Sequence, residues 1–175
     1  MNKVLHQNEQ YIIFDLTSDK YPAGYTIIDA SDFDLVSQYN WHIAESRGRL
    51  TVVTKQKTEF GRTTLQLSRL VMNCPDDMLV DHKNRNTLIN AKFNLRVCTH
   101  SQNSANQVSF NQSIDLYKGV EKLGNRFKAK TSFQGKKIYI GLYETAEQAA
   151  TAYNNTVKIL FGEFAKLNVI KEVLV

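Results

Sequence analysis

Asp81 and His82 stand side by side in this chain, with Asn94 downstream and His100 and Asn103 close behind it. Asp81 offers a hard carboxylate oxygen to Mg²⁺ or a similar ion, and Asn103 can add an amide oxygen. His82 is the side chain suited to take a proton from water near neutral pH. Together these are the parts needed to hold one divalent cation against a phosphodiester. A lone Asp-His pair is ordinarily a surface turn, and a lone histidine is ordinarily structural. Here the polar groups sit in an apolar frame: Leu79 and Val80 lead in, Leu95 and Val97 bracket a second strand, and Val108 and Phe110 give a following helix its core face.

The order and spacing from Val80 to Asn106 resemble the HNH (ββα-metal, or His-Me finger) endonucleases of the phage and homing type. That pattern runs as a strand ending in Asp-His, a Gly/Asn-rich loop, an Asn-Leu-Arg strand, then a helix opening with Asn. The resemblance implies His82 as general base and Asp81 as first metal ligand. Asn94, in Asn94-Leu95-Arg96, becomes the middle Asn that ties the loop together and helps orient the base. Asn103 completes the metal site, and His100 lies one helical turn earlier on the same face. Two departures stand out. Leu88 is followed by Ile89-Asn90 where the family often has Asp-Asn, and an upstream His-Arg-Leu becomes Ser68-Arg69-Leu70.

A second segment carries different physics. Residues 1–80 hold eight Lys/Arg against ten Asp/Glu, a net −2, and residues 81–116 hold four against two, a net +2. Residues 117–175 hold ten against five, so the positive excess lies at the C-terminal end. From Arg126 to Phe133 the chain alternates, with Arg126, Lys128 and Lys130 on one side and Phe127, Ala129, Thr131 and Phe133 on the other. From Lys137 to Leu142, Lys137 and Tyr139 oppose Ile138, Ile140 and Leu142. Gln134-Gly135 is a two-residue hairpin turn between them. Alternation of period two places each set on one face of a sheet. Thr145 is suited to cap a helix carrying Glu147 in its first turn, whose Ala146, Ala149, Ala150 and Tyr153 can cover the apolar face. The other face is left cationic and aromatic, a surface for double-stranded DNA.

This segment resembles the ethylene-response-factor (APETALA-type) DNA-binding domain. The match runs from Tyr117-Lys118-Gly119-Val120, through Gly141-Leu142-Tyr143-Glu144-Thr145 and Ala152-Tyr153-Asn154, to the ending from Gly162 to Asn168. The resemblance implies a sheet laid in the major groove, with strand residues touching phosphates and bases. The expected DNA contacts are Lys118, Lys122, Arg126, Lys128, Lys130, Lys137 and Tyr139. Lys118 stands where an Arg is common, which weakens any bidentate contact to guanine there.

The remaining elements must position these groups. Residues 11–72 read as an accessory layer: strands at Tyr11 to Leu16 and Tyr25 to Ile28, and a short helix capped by Ser31 and running to Tyr39. A hairpin follows around Arg47-Gly48, then a helix from Thr64 to Asn73 ahead of the Asp-His strand. Arg47, Arg49, Lys55, Lys57 and Arg62 form a second basic cluster, in which Arg47 and Arg49 are further candidate DNA contacts. Residues 1–110 are expected to form the nuclease domain, as an accessory layer (1–75) and a ββα-metal core (76–110). Residues 111–116 are read as a linker and 117–170 as the DNA-binding domain, in an α+β chain overall.

No apolar run approaches the roughly twenty residues that span a bilayer, and Met1 to Gln10 lacks a signal-peptide core. The expectation is no membrane partner and a cytoplasmic protein, in the host cell's cytoplasm if a phage encodes it. Cys74 and Cys98 are too few and too isolated for a zinc site, and two free thiols are expected rather than a bridge. The sequence thus points to a site-selective, Mg²⁺- or Mn²⁺-dependent DNA endonuclease, monomeric or homodimeric. The rival is a DNA-binding regulator that does not cut.

Overall fold

A computed structural model describes residues 2–59, 61–107 and 117–170. The chain divides into two compact units, Met1–Cys98 and Thr99–Val175.

The first unit opens with β1 (Val4–Gln7), β2 (Tyr11–Asp15) and β3 (Tyr25–Asp29), paired antiparallel in the order β1-β2-β3. Strand β2 falls within the strand expected at Tyr11 to Leu16 and alternates in burial: Ile12 and Phe14 are buried while Tyr11, Ile13 and Asp15 are half-buried. Strand β1 lies within the Met1–Gln10 stretch, for which no element was expected. The helix expected from Ser31 to Tyr39 shrinks to a 3-10 turn, Ala30–Asp32, and a single turn α1, Phe33–Val36. No side chain caps either one, so the cap expected of Ser31 is not made.

A second sheet follows, in the order β4-β5-β6: β4 (His42–Ser46), β5 (Arg49–Thr58) and β6 (Gly61–Gln66). Arg47 and Gly48 both have positive φ, at 51° and 74°. That is the two-residue hairpin geometry whose twist matches its strands. Of the helix expected from Thr64 to Asn73, the first part is strand and only α2 (Leu67–Val71) is helical. Thr63 and Thr64 are β-branched and pair with Gln56 and Lys55, so ladder bonds win over a weak helix propensity.

Strands β7 (Leu79–His82) and β8 (Leu95–Cys98) form an antiparallel pair, separate from both sheets, with Asp81 opposite Arg96 and His82 opposite Leu95. The core of this unit gathers Ile12, Phe14, Ile28, Val36, Trp41, Val52, Leu67 and Leu95. Leu95 thereby fixes the β7–β8 pair to the sheet layers. Cys74 and Cys98 are free. Burial is the main cause that pushes the Cys98 thiol up to about 11, which leaves it an inert core group.

The second unit begins with α3 (His100–Asn106), capped reciprocally by Thr99 and Gln102. Of the expected ββα core, the strands β7 and β8 are counted in the first unit and the helix α3 in the second. The expected linker 111–116, and Val108 and Phe110, lie outside the described residues. Next come β9 (Val120–Leu123), β10 (Arg126–Phe133) and β11 (Lys136–Tyr143) in the order β11-β10-β9, then α4 (Ala146–Phe161).

Gln134 and Gly135 turn the hairpin with positive φ, and Thr145 caps α4 in a capping box with Gln148. Ala149, Ala150, Tyr153, Val157 and Phe161 of α4 are buried, with Phe133 and Ile140 of the sheet packed against the cluster. Gly119 is required by this packing, since a Cβ there would stand 2.1 Å from the Tyr153 ring. Asn168 closes the unit, accepting from the backbone N–H of Lys118 at 2.7 Å and donating to its carbonyl at 3.0 Å.

Candidate active site

The loop between β7 and β8 is held by its own short polar side chains. Asn94 is 2% exposed and makes three bonds into it. Its Oδ1 accepts from the Asn84 N–H at 3.0 Å, and its Nδ2 donates to the carbonyls of Ile89 and Asn86 at 2.9 and 3.3 Å. The Asn84 and Asn86 side chains each accept from a backbone N–H two residues on, the Asx-turn habit of this residue type. Arg85 sits at φ 66°. The loop is also fastened outward: Thr87 Oγ1 donates to the Leu50 carbonyl at 2.7 Å, and Ile27 of β3 pairs with Ile89 as an isolated parallel bridge.

This fastening sets His82, which is 5% exposed. Its Nε2 lies 3.2 Å from Oδ1 of Asn90. Asn90 Nδ2 in turn donates to Thr26 Oγ1 at 2.9 Å and to the Thr87 carbonyl at 3.2 Å, and Thr26 Oγ1 donates to the Leu88 carbonyl at 2.9 Å. With both amide protons directed at acceptors, Asn90 presents an oxygen to the imidazole. Nε2 must then carry the proton in the neutral ring, and Nδ1 is the basic nitrogen. A side-chain bond to His82 thus comes from Asn90, the Asn that follows the departing Ile89, while Asn94 holds the loop. Nothing in the sequence singles out Thr26 as its partner, because β3 lies more than sixty residues upstream.

Burial is the largest influence on His82 and holds its pKa below the usual imidazole value. The Asn90 bond and the Asp81 charge oppose that shift, while the Arg49 charge reinforces it. Arg49, exposed at the start of β5, is therefore an electrostatic neighbour of the imidazole; Arg47 stands at the exposed tip of the same hairpin.

Asp81 is 3% exposed and ion-paired with Arg96, whose Nε and Nη2 donate to Oδ2 at 2.9 and 2.7 Å. Its carboxylate is the donor type a hard cation takes, so the chemistry suits Mg²⁺ or Mn²⁺. Its charge is already shared with a guanidinium. Among the described residues no three His, Cys, Asp or Glu side chains gather into a group that could hold a metal. Ser68, at the place of the family's upstream histidine, is buried on α2. His100 is exposed and Asn103 half-buried, both on α3 of the second unit.

The second unit sorts the expected DNA contacts. Lys130 faces Tyr139, Ser132 faces Lys137, Lys128 faces Glu121 and Arg126 faces Leu123, so these side chains share the sheet face away from α4. A bulge between Ala129 and Lys130 shifts the β10–β11 register. It turns Leu142 onto the Tyr139 face, against the strict alternation expected, and Leu142 is exposed there.

Glu121 binds Lys128 at 2.9 Å and Lys130 at 2.5 Å, and these bonds pull its carboxyl down to about 2. Two of the expected phosphate contacts are thus paired within the sheet. Lys122 lies opposite Phe127, on the helix side of the sheet edge rather than on the cationic face. Lys118 Nζ donates to the carbonyls of Ala105 at 2.6 Å and Gln107 at 2.5 Å, so its charge is placed at the C-terminal end of α3.

The chain is 32% identical over 151 residues to an uncharacterized HNH endonuclease of Acanthamoeba polyphaga mimivirus, covering 82% of this chain and 74% of the relative. No family model matches, and no solved structure matches. At this identity and coverage the chain belongs to the HNH endonucleases, a family of nucleases. No helix among the described residues is long and apolar enough to cross a membrane.

Proposed function

We propose that this protein is a site-selective, metal-dependent endonuclease that hydrolyses phosphodiester bonds in double-stranded DNA, with His82 as general base in a ββα-metal site. The observation that supports it most is the buried His82–Asn90–Thr26 chain, which aligns an imidazole at the end of β7 beside Asp81. In this reading a water oxygen attacks phosphorus, its proton passes to His82 Nδ1, and the P–O3′ bond breaks. Asp81 is the first-unit residue that would hold the divalent ion; Asn103 enters from the sequence pattern alone. The ion, when bound, neutralises the phosphate and stabilises the leaving 3′ oxygen.

The Arg49 charge acts on the His82 imidazole, and in this reading its exposed guanidinium meets a phosphate group of the duplex. The second unit supplies a cationic face of Arg126, Lys128, Lys130, Lys137 and Tyr139 for the duplex, in keeping with its resemblance to the ethylene-response-factor domain. One base acting on one strand gives one cut per site, so a monomer nicks, and a homodimer or sequential cuts sever both strands.

Supercoiled plasmid incubated with Mg²⁺ or Mn²⁺ tests the reading. Wild type should give nicked or linear product with defined ends, and His82→Ala should not. A second reading, a DNA-binding protein that does not cut, draws on the Asp81–Arg96 pair and the burial of His82. Binding to duplex DNA without cleavage under either metal would select it.

A further inference from the structure

Strand β5 changes character along its length. Val52, Val53 and Thr54 are buried, yet no described residue from Lys55 round to Thr64 is. Beyond Thr54 the β5–β6 pair leaves the core as a two-stranded ribbon. Its register places Lys57 opposite Arg62 and Lys55 opposite Thr64, so the three cations lie on one face. Gln56 opposite Thr63 lies on the other. Lys55 Nζ donates to Thr64 Oγ1 at 3.1 Å. Among the described residues, Lys55, Lys57 and Arg62 form no ion pair, whereas Lys128 and Lys130 share Glu121. Glu59, at the turn, is the one acid of the ribbon.

Such an overhang buries nothing that would stabilise the unit, and it holds like charges together on one face. Both features are costs unless a polyanion meets them. We propose that the projecting end of the β5–β6 ribbon is a DNA-contact element of the first unit, entering the major groove of the duplex with its cationic face toward it. Four residue pairs reach about 13 Å, enough for a groove roughly 8.5 Å deep, and its width of about 12 Å admits a two-stranded ribbon. Lys55 and Lys57 meet phosphates, and the Arg62 fork reaches a base edge. A-form RNA has a major groove too narrow for this element, so the ribbon selects duplex DNA. The inference rests on the reading of DNA as substrate and adds a second contact region to it.

The test uses the full chain and fluorescence anisotropy on a mixed-sequence DNA duplex across a salt series. The triple variant Lys55→Gln/Lys57→Gln/Arg62→Gln is compared with wild type and with Lys3→Gln/Lys20→Gln/Lys158→Gln, which removes the same charge elsewhere. The ribbon variant should lose affinity by on the order of 10- to 100-fold and shallow the log–log salt slope by roughly 0.9 for each lost contact. The control variant should stay near wild type. Equal behaviour of the two variants overturns the proposal, as does a ribbon variant that loses affinity for duplex RNA but not for duplex DNA. Plasmid nicking run in parallel separates the two readings. A wild type that does not nick removes the nuclease reading and leaves the ribbon result standing, whereas nicking with an unchanged salt slope overturns the ribbon alone.

Discussion

Arg96 donates from both Nε and Nη2 to one carboxylate oxygen of Asp81, at 2.9 and 2.7 Å, across the β7–β8 pair. Both partners are buried, so the bond ties the residue expected to hold a cation to the architecture of its own hairpin. Removing one member of such a pair strands a charge in a poorly solvated place.

Arg96→Ala should therefore destabilise the protein by roughly 3–5 kcal/mol, the range for breaking a buried pair from one side. Asp81→Ala should do the same and also abolish metal-supported cleavage. Denaturant unfolding separates the stability effect, and metal titration of plasmid cleavage reads the other. Full cleavage in excess EDTA would remove the metal from the mechanism.

His82→Ala should cost on the order of 10²-fold or more in cleavage rate, since general-base catalysis supplies about that much. Duplex affinity should hardly change, because the imidazole is buried. Near-normal cleavage by this variant would move the base elsewhere, with His100 the next residue to test.

Asn90→Ala and Thr26→Val should lower turnover by about tenfold, near 1.4 kcal/mol, while leaving KM near its wild-type value. Thr26→Ser keeps the hydroxyl that anchors Asn90 and should restore the rate. A serine variant as slow as the valine variant would show that the hydroxyl is not what orients the base.

Glu121→Gln should tighten duplex binding by freeing Lys128 and Lys130, the reverse of what neutralising Arg126, Lys128, Lys130 and Lys137 together should do. Because the Glu121 carboxyl is lowered from 4.5 to about 2, its pairs contribute fully above the unfolded value and fade as pH falls toward 2. Binding at neutral pH is thus measured with both pairs intact. Unchanged affinity in Glu121→Gln would place the duplex on another face.

How much of this was legible beforehand depends on the range of the interactions. The turns at Arg47-Gly48 and Gln134-Gly135, the Thr145 cap and the cationic alternation of β10 follow from neighbours along the chain, whereas the strand ending in Asp81-His82 was implied by the family resemblance. Local conformation and period-two patterning dictate the turns, the cap and the alternation. The Ser31 cap and the long helix from Thr64 failed because pairing with β5 and packing of the first core outweighed weak local preferences.

What tertiary structure alone decided is which polar groups meet. It brought Thr26 of β3 to Asn90, and through it to His82, and it gave Asp81 to Arg96. It drew Lys118 away from the cationic face to the end of α3, set Glu121 between two lysines, and turned Leu142 outward at a bulge. A sequence states which donors and acceptors exist. Burial then requires each to find a partner, and only the packed arrangement of distant strands determines which one it finds.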